Sequence, residues 1–291
     1  MKTFAISLVS SICVIAALSW SQTSRAQSVP LVFQTTFASA LCPDWSTPNG
    51  QNDNNVCQTG DGIAGHGGWS TSNGSWDQIT SVANYSGGGG GKGFRHYRGD
   101  GVNNNGGGLF ITLPSGLSEM WVRWYMRYSS GFAWANPGNP EYIKDHYWFG
   151  TDGSIFFGAY GDTGAPNFYR SWGMIHDRSP TYGSATGWVP TMGGNTGDGL
   201  YHCYEYHVKA NGAASVIEIW VDGVRYLSKT DANIGSGTFT GFILGSNQRV
   251  VTGAGGTDYY TDYDDIAISN SGRIGCIGSI VVQAPKNLRV Q

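Results

Sequence analysis

Beyond residue 26, apolar side chains come in short runs that alternate with polar ones. Gly, Asn and Asp-Gly pairs cut each run before a helical stripe can develop. A period of two predicts strands, and they fall at 31–37, 66–70, 76–85, 94–98, 108–113, 119–128, 142–149 and 154–160. Further strands fall at 200–209, 215–221, 224–228, 238–246 and 259–269, with loops and short strands over 161–200. About eleven to fourteen strands in one body predict an all-β sandwich, a jelly roll of two stacked antiparallel sheets. Its expected bounds are 27–279, with 280–291 as a tail or linker.

Alternation also sorts side chains into faces. In 119–128, Val122, Trp124, Met126 and Tyr128 read as core, and Trp121, Arg123, Tyr125 and Arg127 as a basic, aromatic working face. In 215–221, Ile217, Ile219 and Val221 read as core, so Glu218 and Trp220 point the other way. In 142–149, Lys144, His146 and Trp148 share a parity. In 200–209, Cys203, Glu205 and His207 alternate with His202, Tyr204, Tyr206 and Val208. If Cys203 is buried in a disulfide, the set with His202 and Tyr204 faces a groove, and Glu205 and His207 must pair. In 94–98, Arg95 and Tyr97 alternate with Phe94, His96 and Arg98, so a cation is available on either side.

Residues 1–26 stand apart. Lys2, an apolar run from Phe4 to Leu18 and the small residues Ser24 and Ala26 read as a signal peptide cut before Gln27. The run is about 15 residues, short of the roughly 20 that span a bilayer. The expected location is therefore secreted or periplasmic, with no membrane anchor. Four cysteines remain in the mature chain: Cys42, Cys57, Cys203 and Cys276. An even number in an exported protein predicts disulfides, with three pairings open and free buried thiols as the alternative. Pairing Cys42 with Cys57 staples a Gly/Asn-rich loop and leaves Cys203 and Cys276 to tie two late strands.

Composition narrows the partner. Only 13% of residues are charged, the formal net charge is −3, and 13% are aromatic. Without a Lys/Arg surplus the chain is no nucleic-acid binder. An anionic ligand needs a local basic site, because the whole molecule exerts no long-range pull on it.

The segments Tyr201–Gly212, Ile217–Gly223, Ile243–Gln248 and Tyr263–Ser269 resemble the second half of concanavalin A-like jelly rolls, among them secreted polysaccharide lyases of the alginate and glucuronan type. The resemblance implies a concave sheet that takes a polysaccharide, and a monomer. A lyase acting on a uronic acid polymer needs a cation or amide at the C6 carboxylate, a base for the C5 proton and an acid for the leaving oxygen. Arg127, Lys144, His146, His202 and Tyr204 are the catalytic candidates; Arg123, Tyr125, Trp148, Trp220 and Gln248 are the substrate-binding ones. The best-known alginate lyases of this superfold carry Arg-x-Glu-x-Arg, Gln-x-His and terminal Tyr-Phe-Lys strands. Here Arg123-Trp124-Tyr125-Met126-Arg127 lacks the central Glu, Asp145-His146-Tyr147 lacks the Gln, and Tyr259-Tyr260-Thr261 replaces the terminal segment, so a more distant lyase is implied.

Two other readings compete. A glycoside hydrolase needs a carboxylate pair, and this chain lacks the Glu-x-Asp-x-x-Glu strand of laminarinase-like members. A non-catalytic carbohydrate-binding protein would use Trp134, Trp148, Trp172, Trp188 and Trp220 as stacking surfaces. No organic cofactor is expected. Asp262, Asp264 and Asp265 form the densest acidic run and are the candidate ligands for a structural calcium ion.

Overall fold

The computed structural model describes residues 29–38, 45–46, 63–66, 77–98, 108–132, 141–151, 153–161, 170–176, 189–190, 198–232, 234–245 and 259–278. In chain order the strands are β1 (Phe33–Thr35), β2 (Trp45–Ser46), β3 (Ile63–His66), β4 (Asp77–Thr80), β5 (Gly93–Tyr97), β6 (Leu109–Leu117), β7 (Glu119–Tyr128) and β8 (Glu141–Gly150). Then follow β9 (Gly153–Gly161), β10 (Arg170–His176), β11 (Val189–Pro190), β12 (His202–Lys209), β13 (Val216–Val221), β14 (Val224–Lys229), β15 (Phe239–Leu244) and β16 (Tyr260–Ser269). Among the described residues the only helical elements are two single 3-10 turns, Ser81–Ala83 and Gly212–Ala214. No helix among them is long and apolar enough to cross a membrane.

The strands form two antiparallel sheets, the expected all-β jelly-roll sandwich. One has nine strands in the order β14-β13-β12-β7-β16-β5-β4-β2, with β1 also paired to β16; the other has seven, β11-β10-β9-β8-β15-β6-β3. The core between them holds Met120, Val122, Trp124, Met126 and Tyr128 of β7, Ile217, Ile219 and Val221 of β13, and Leu109, Ile111 and Leu113 of β6. These are the parities that read as core in β7 and β13. Asp222 (φ 50°) and Gly223 (φ 82°) both have positive φ. That is the two-residue turn whose twist matches the β13–β14 hairpin, and it explains the Asp-Gly pair.

Two facings differ from expectation. In β12, Tyr204, Tyr206 and Val208 lie in the core, while Cys203, Glu205 and His207 are on the outer face. The disulfide that ties Cys203 to Cys276 lies on that outer side, so burial of the cysteine did not mark the sandwich interior. In β8 the register shifts between Lys144 and His146. Such a bulge breaks alternation, so parity does not carry a facing from one side of it to the other. His146 and Trp148 are fully buried. The other expected cysteine pair, Cys42–Cys57, and the termini 1–26 and 280–291 lie outside the described residues.

Candidate functional site

Strand register builds a polar row across the outer face of the nine-stranded sheet. Gln78 of β4 pairs with Arg95 of β5, Arg95 with Asp262 of β16, and Asp262 with Arg127 of β7. Asp262 is completely buried and binds both cations. Arg95 donates from Nε to Oδ1 (2.7 Å) and from Nη2 to Oδ2 (2.9 Å), and Arg127 donates from Nε to Oδ2 (2.7 Å). Charge-assisted bonds of this kind are about twice as strong as neutral ones. Each guanidinium also lies over an aromatic ring: Arg95 at 3.5 Å from the Tyr260 centroid and Arg127 at 4.7 Å from that of Tyr201. In the adjacent row Tyr97 pairs with Tyr260, and the Tyr97 hydroxyl donates to Gln78 Oε1 at 3.1 Å.

Two chain segments lie on this face. The turn after β4 places the Val82 carbonyl at Arg127 Nη2 (2.6 Å) and the Ala83 carbonyl at the Tyr201 hydroxyl, which donates to it. Tyr85 stacks on Tyr125 with centroids 3.9 Å apart. The segment 270–278 covers the other half. Glu205, 1% exposed, accepts from Arg273 Nε (3.0 Å) and from the N–H groups of Ile274 (2.6 Å) and Gly275 (3.2 Å). Tyr125 Oη accepts from the Ile277 N–H at 2.6 Å, and Arg123 donates to the Asp265 and Gly275 carbonyls at 3.1 and 3.4 Å.

The face thus accommodates the predicted candidates unequally. Arg127 is partly exposed in the polar row. Arg123 and Tyr125 are on the expected face but buried, holding the 270–278 segment in place. Trp220 is also on the expected face, buried with Arg273 4.7 Å over its ring. Tyr204, His146 and Trp148 are in the core, away from any surface. His146 sits edge-on between Trp124 (4.7 Å) and Tyr206 (4.6 Å), and burial holds its pKa well below the ordinary value. Gln248, Trp134 and Trp188 lie outside the described residues.

The three aspartates do not converge. Asp262 is occupied by two arginines. Asp264 accepts from the N–H groups of Tyr85 and Asp265 (both 2.7 Å), and Asp265 accepts from the Gly89 N–H at 3.3 Å. Asp265 sits at φ 47°, at the bulge where β16 loses register with β7. Among the described residues no group of three His, Cys, Asp or Glu side chains is placed to hold a metal ion.

His202 and His207 are each clamped by two carboxylates. His202 contacts Asp222 through Nδ1 (2.6 Å) and Asp198 through Nε2 (3.0 Å). His207 contacts Glu218 through Nδ1 (2.9 Å) and Glu119 through Nε2 (3.0 Å), with its ring 4.1 Å above Trp121. With a carboxylate at each ring nitrogen, His202 is satisfied at both only as the cation. At His202 burial opposes that charge, but hydrogen bonds to Asp222 and Asp198 outweigh it and raise the pKa above 6.5. Its stabilisation is therefore present below pH 6.5 and lost as pH rises through the raised value.

Asp264 works in the same direction. Burial pushes its carboxyl up from 3.8 to about 8, so the native state keeps a proton that the unfolded chain gives up, and stability falls across that window. Thermal midpoints are expected to decline from pH 6 to pH 9. His202→Gln and Asp264→Asn should each make the decline shallower, Asp264→Asn below about pH 8. Midpoints that stay level or rise would contradict the clamp.

Chemically, the polar row of the outer face offers cations and hydroxyl donors, and the partly exposed carboxylates described on that face, Glu119 and Glu218, are bonded to His207. Burial raises the pKa of Tyr201 far above the usual phenol range and that of Tyr125 to about 12, so both stay protonated at neutral pH. Asp264 is completely buried and bonded to backbone N–H groups.

The seven-stranded sheet has a different row, defined by backbone register. Tyr142 of β8 pairs with Tyr160 of β9, and Tyr160 with Arg170 of β10. One step along, Lys144 pairs with Gly158, and Gly158 with Trp172. Lys144 is the only lysine in the strands of this sheet. Sequence reading singled out Lys144 and Trp172 but missed Tyr142, Tyr160 and Arg170. Their link is long-range pairing through β9, which no local spacing reveals.

No family model and no curated protein matches the sequence. The fold is similar to that of alginate lyase Aly36B, at 14% identity over 83% of this chain and 98% of that one, with a TM-score of 0.53. A double mutant of that enzyme, with a lysine and a tyrosine replaced by alanine and alginate tetrasaccharide bound, superposes over the same shares at 14% identity with a TM-score of 0.52. The marine alginate lyase from Aplysia kurodai matches at 10% identity, 79% of this chain and 99% of that one, with a TM-score of 0.44. The likeness to Aly36B is one of fold: this chain has the same β-sandwich jelly roll.

Proposed function

We propose that the protein is a secreted lyase that cleaves a uronic acid polysaccharide by β-elimination, with its catalytic groove on the seven-stranded sheet. The observation that carries this reading is the register of Lys144 beside Tyr142, Tyr160 and Arg170. The fold extends over nearly all of an alginate lyase whose lysine and tyrosine double mutant holds a tetrasaccharide. The chemistry needs those residue types. A cation at the C6 carboxylate disperses the charge that builds up as the C5 proton leaves. A base takes that proton, the C4–O4 bond breaks, and an acid protonates the departing oxygen, leaving a C4–C5 double bond. Lys144 or Arg170 serves the carboxylate, and a tyrosine of the pair Tyr142–Tyr160 serves the proton transfers.

The test is absorbance near 235 nm, where the unsaturated product absorbs, with residues 27–291 on alginate, polyglucuronate, pectate and glycosaminoglycans. A steady rise on one polymer is expected, and Lys144→Ala is expected to reduce its rate by about 100-fold. An unchanged rate in that variant would remove Lys144 from the mechanism. A flat trace on every polymer, accompanied by binding to one of them, would make the protein a carbohydrate-binding module.

A further inference from the structure

The polar row on the nine-stranded sheet belongs to no step of that reaction, and it has properties that a purely structural ion pair does not need. Two guanidiniums share one carboxylate, which leaves a local charge of +1 on a chain whose net charge is −3. The Arg127 side chain keeps 22% exposure, Arg95 is buried beside it under the Tyr260 ring, and Asp262 has none, so the cation that the face presents is Arg127. The bonds of Arg127 to Asp262 and Val82 use Nε and Nη2, and those of Arg95 use Nε and Nη2 as well. Arg95 is held further by a hydrogen bond with the Tyr97 side chain. Gln78, Tyr97, Tyr260 and Tyr201, all half-buried, flank the cations with amide, hydroxyl and ring surfaces. From Gln78 to Arg127 the row crosses three strand spacings, roughly 14 Å. That length fits an extended chain rather than a single sugar.

We infer that this row is a second glycan site, on the opposite sheet from the catalytic groove, which binds a segment of carboxylated polysaccharide without cleaving it. The ligand class rests on the proposed function; the site itself does not. A carboxylate of the polymer meets the exposed part of Arg127, sugar rings lie against Tyr97 and Tyr260, and buried Arg95 supplies charge from beneath. The excess charge supplies the preference for an anionic chain. The spread of contacts along the row gives affinity to a polymer and little to a monosaccharide.

Affinity electrophoresis tests this in native gels containing alginate, polyglucuronate or a neutral glucan, using the full chain with Lys144→Ala so that the polymer stays uncut. Retardation in a uronate gel and none in the glucan gel is expected. Gln78→Glu keeps an acceptor for the Tyr97 hydroxyl while cancelling the excess charge, and should weaken binding about tenfold. Arg127→Gln should do the same. Thermal midpoints of each variant separate lost binding from lost folding, and Gln78→Glu remains informative if Arg127→Gln unfolds. Retardation that is unchanged in a folded Gln78→Glu, or absent in every uronate gel, overturns the inference. Equal retardation in the glucan gel also overturns it. If Lys144→Ala still shows full eliminase activity, the catalytic assignment falls, but a charge-dependent retardation would leave the second site standing.

Discussion

Replacing Asp262 by Asn is expected to cost about 3–5 kcal/mol of folding free energy, the usual penalty for removing one partner from a buried ion pair. Asp262 holds two cations, so its loss leaves both the Arg95 and Arg127 guanidiniums without their carboxylate. An asparagine fits the space and keeps one acceptor oxygen, but it carries no charge. Arg95 suffers most, since it is buried and bonded to both carboxylate oxygens. The row also joins the centre of the sheet: β5, β16 and β7 meet at Arg95, Asp262 and Arg127. For a protein of this size the loss corresponds to a fall of roughly 6–20 °C in the thermal midpoint. Urea unfolding followed by tryptophan fluorescence measures it directly. A change below 1 kcal/mol would mean that solvent already screens the cluster.

Opening the Cys203–Cys276 disulfide is the second large effect. The two residues are 73 apart in sequence, and closing a loop of that length removes about 4 kcal/mol of unfolded-state entropy. The native side adds to this. The bond anchors the segment whose Arg273, Ile274 and Gly275 satisfy the carboxylate of Glu205. If the segment lifts, a carboxylate with 1% exposure loses its donors. The urea midpoint is therefore expected to drop sharply with reductant. Cys203→Ala/Cys276→Ala should have the lower midpoint with or without reductant. A reductant effect of equal size in that double variant would assign the loss elsewhere.

Strand positions were legible in the sequence because alternation and Asp-Gly punctuation are local. Residues 119–128 form β7 as read, and the odd residues of β13 are core. Facing was harder, for two physical reasons. The nine-stranded sheet is covered on both sides, by the sandwich core and by the segments after β4 and β16, so a buried cysteine at 203 did not distinguish inside from outside. Large tyrosines, 204 and 206, fill the core where a polar reading expected a groove. In β8 a bulge next to Lys144 defeats parity altogether. Asp262 illustrates the limit for the site. Its place in a run of acids suggested a cation ligand, and the cations it holds are arginines brought to it from 167 and 135 residues away. Such partners are set by strand order, which a linear pattern does not contain.

The position of β16 has a consequence for how the molecule is made. This strand, residues 260–269, lies between β5 and β7 in the middle of the larger sheet, and β1 also pairs with it. Until it emerges from the ribosome, β5 and β7 are exposed sheet edges with unpaired N–H and carbonyl groups, open to pairing with other chains. The fold cannot close progressively from its N-terminus. It forms in one late event dominated by distant pairings, which is slow. A polypeptide of this kind stays open until its last long strand is made, and any ribosome that stalls before residue 260 releases a fragment with unpaired sheet edges instead of a smaller working domain.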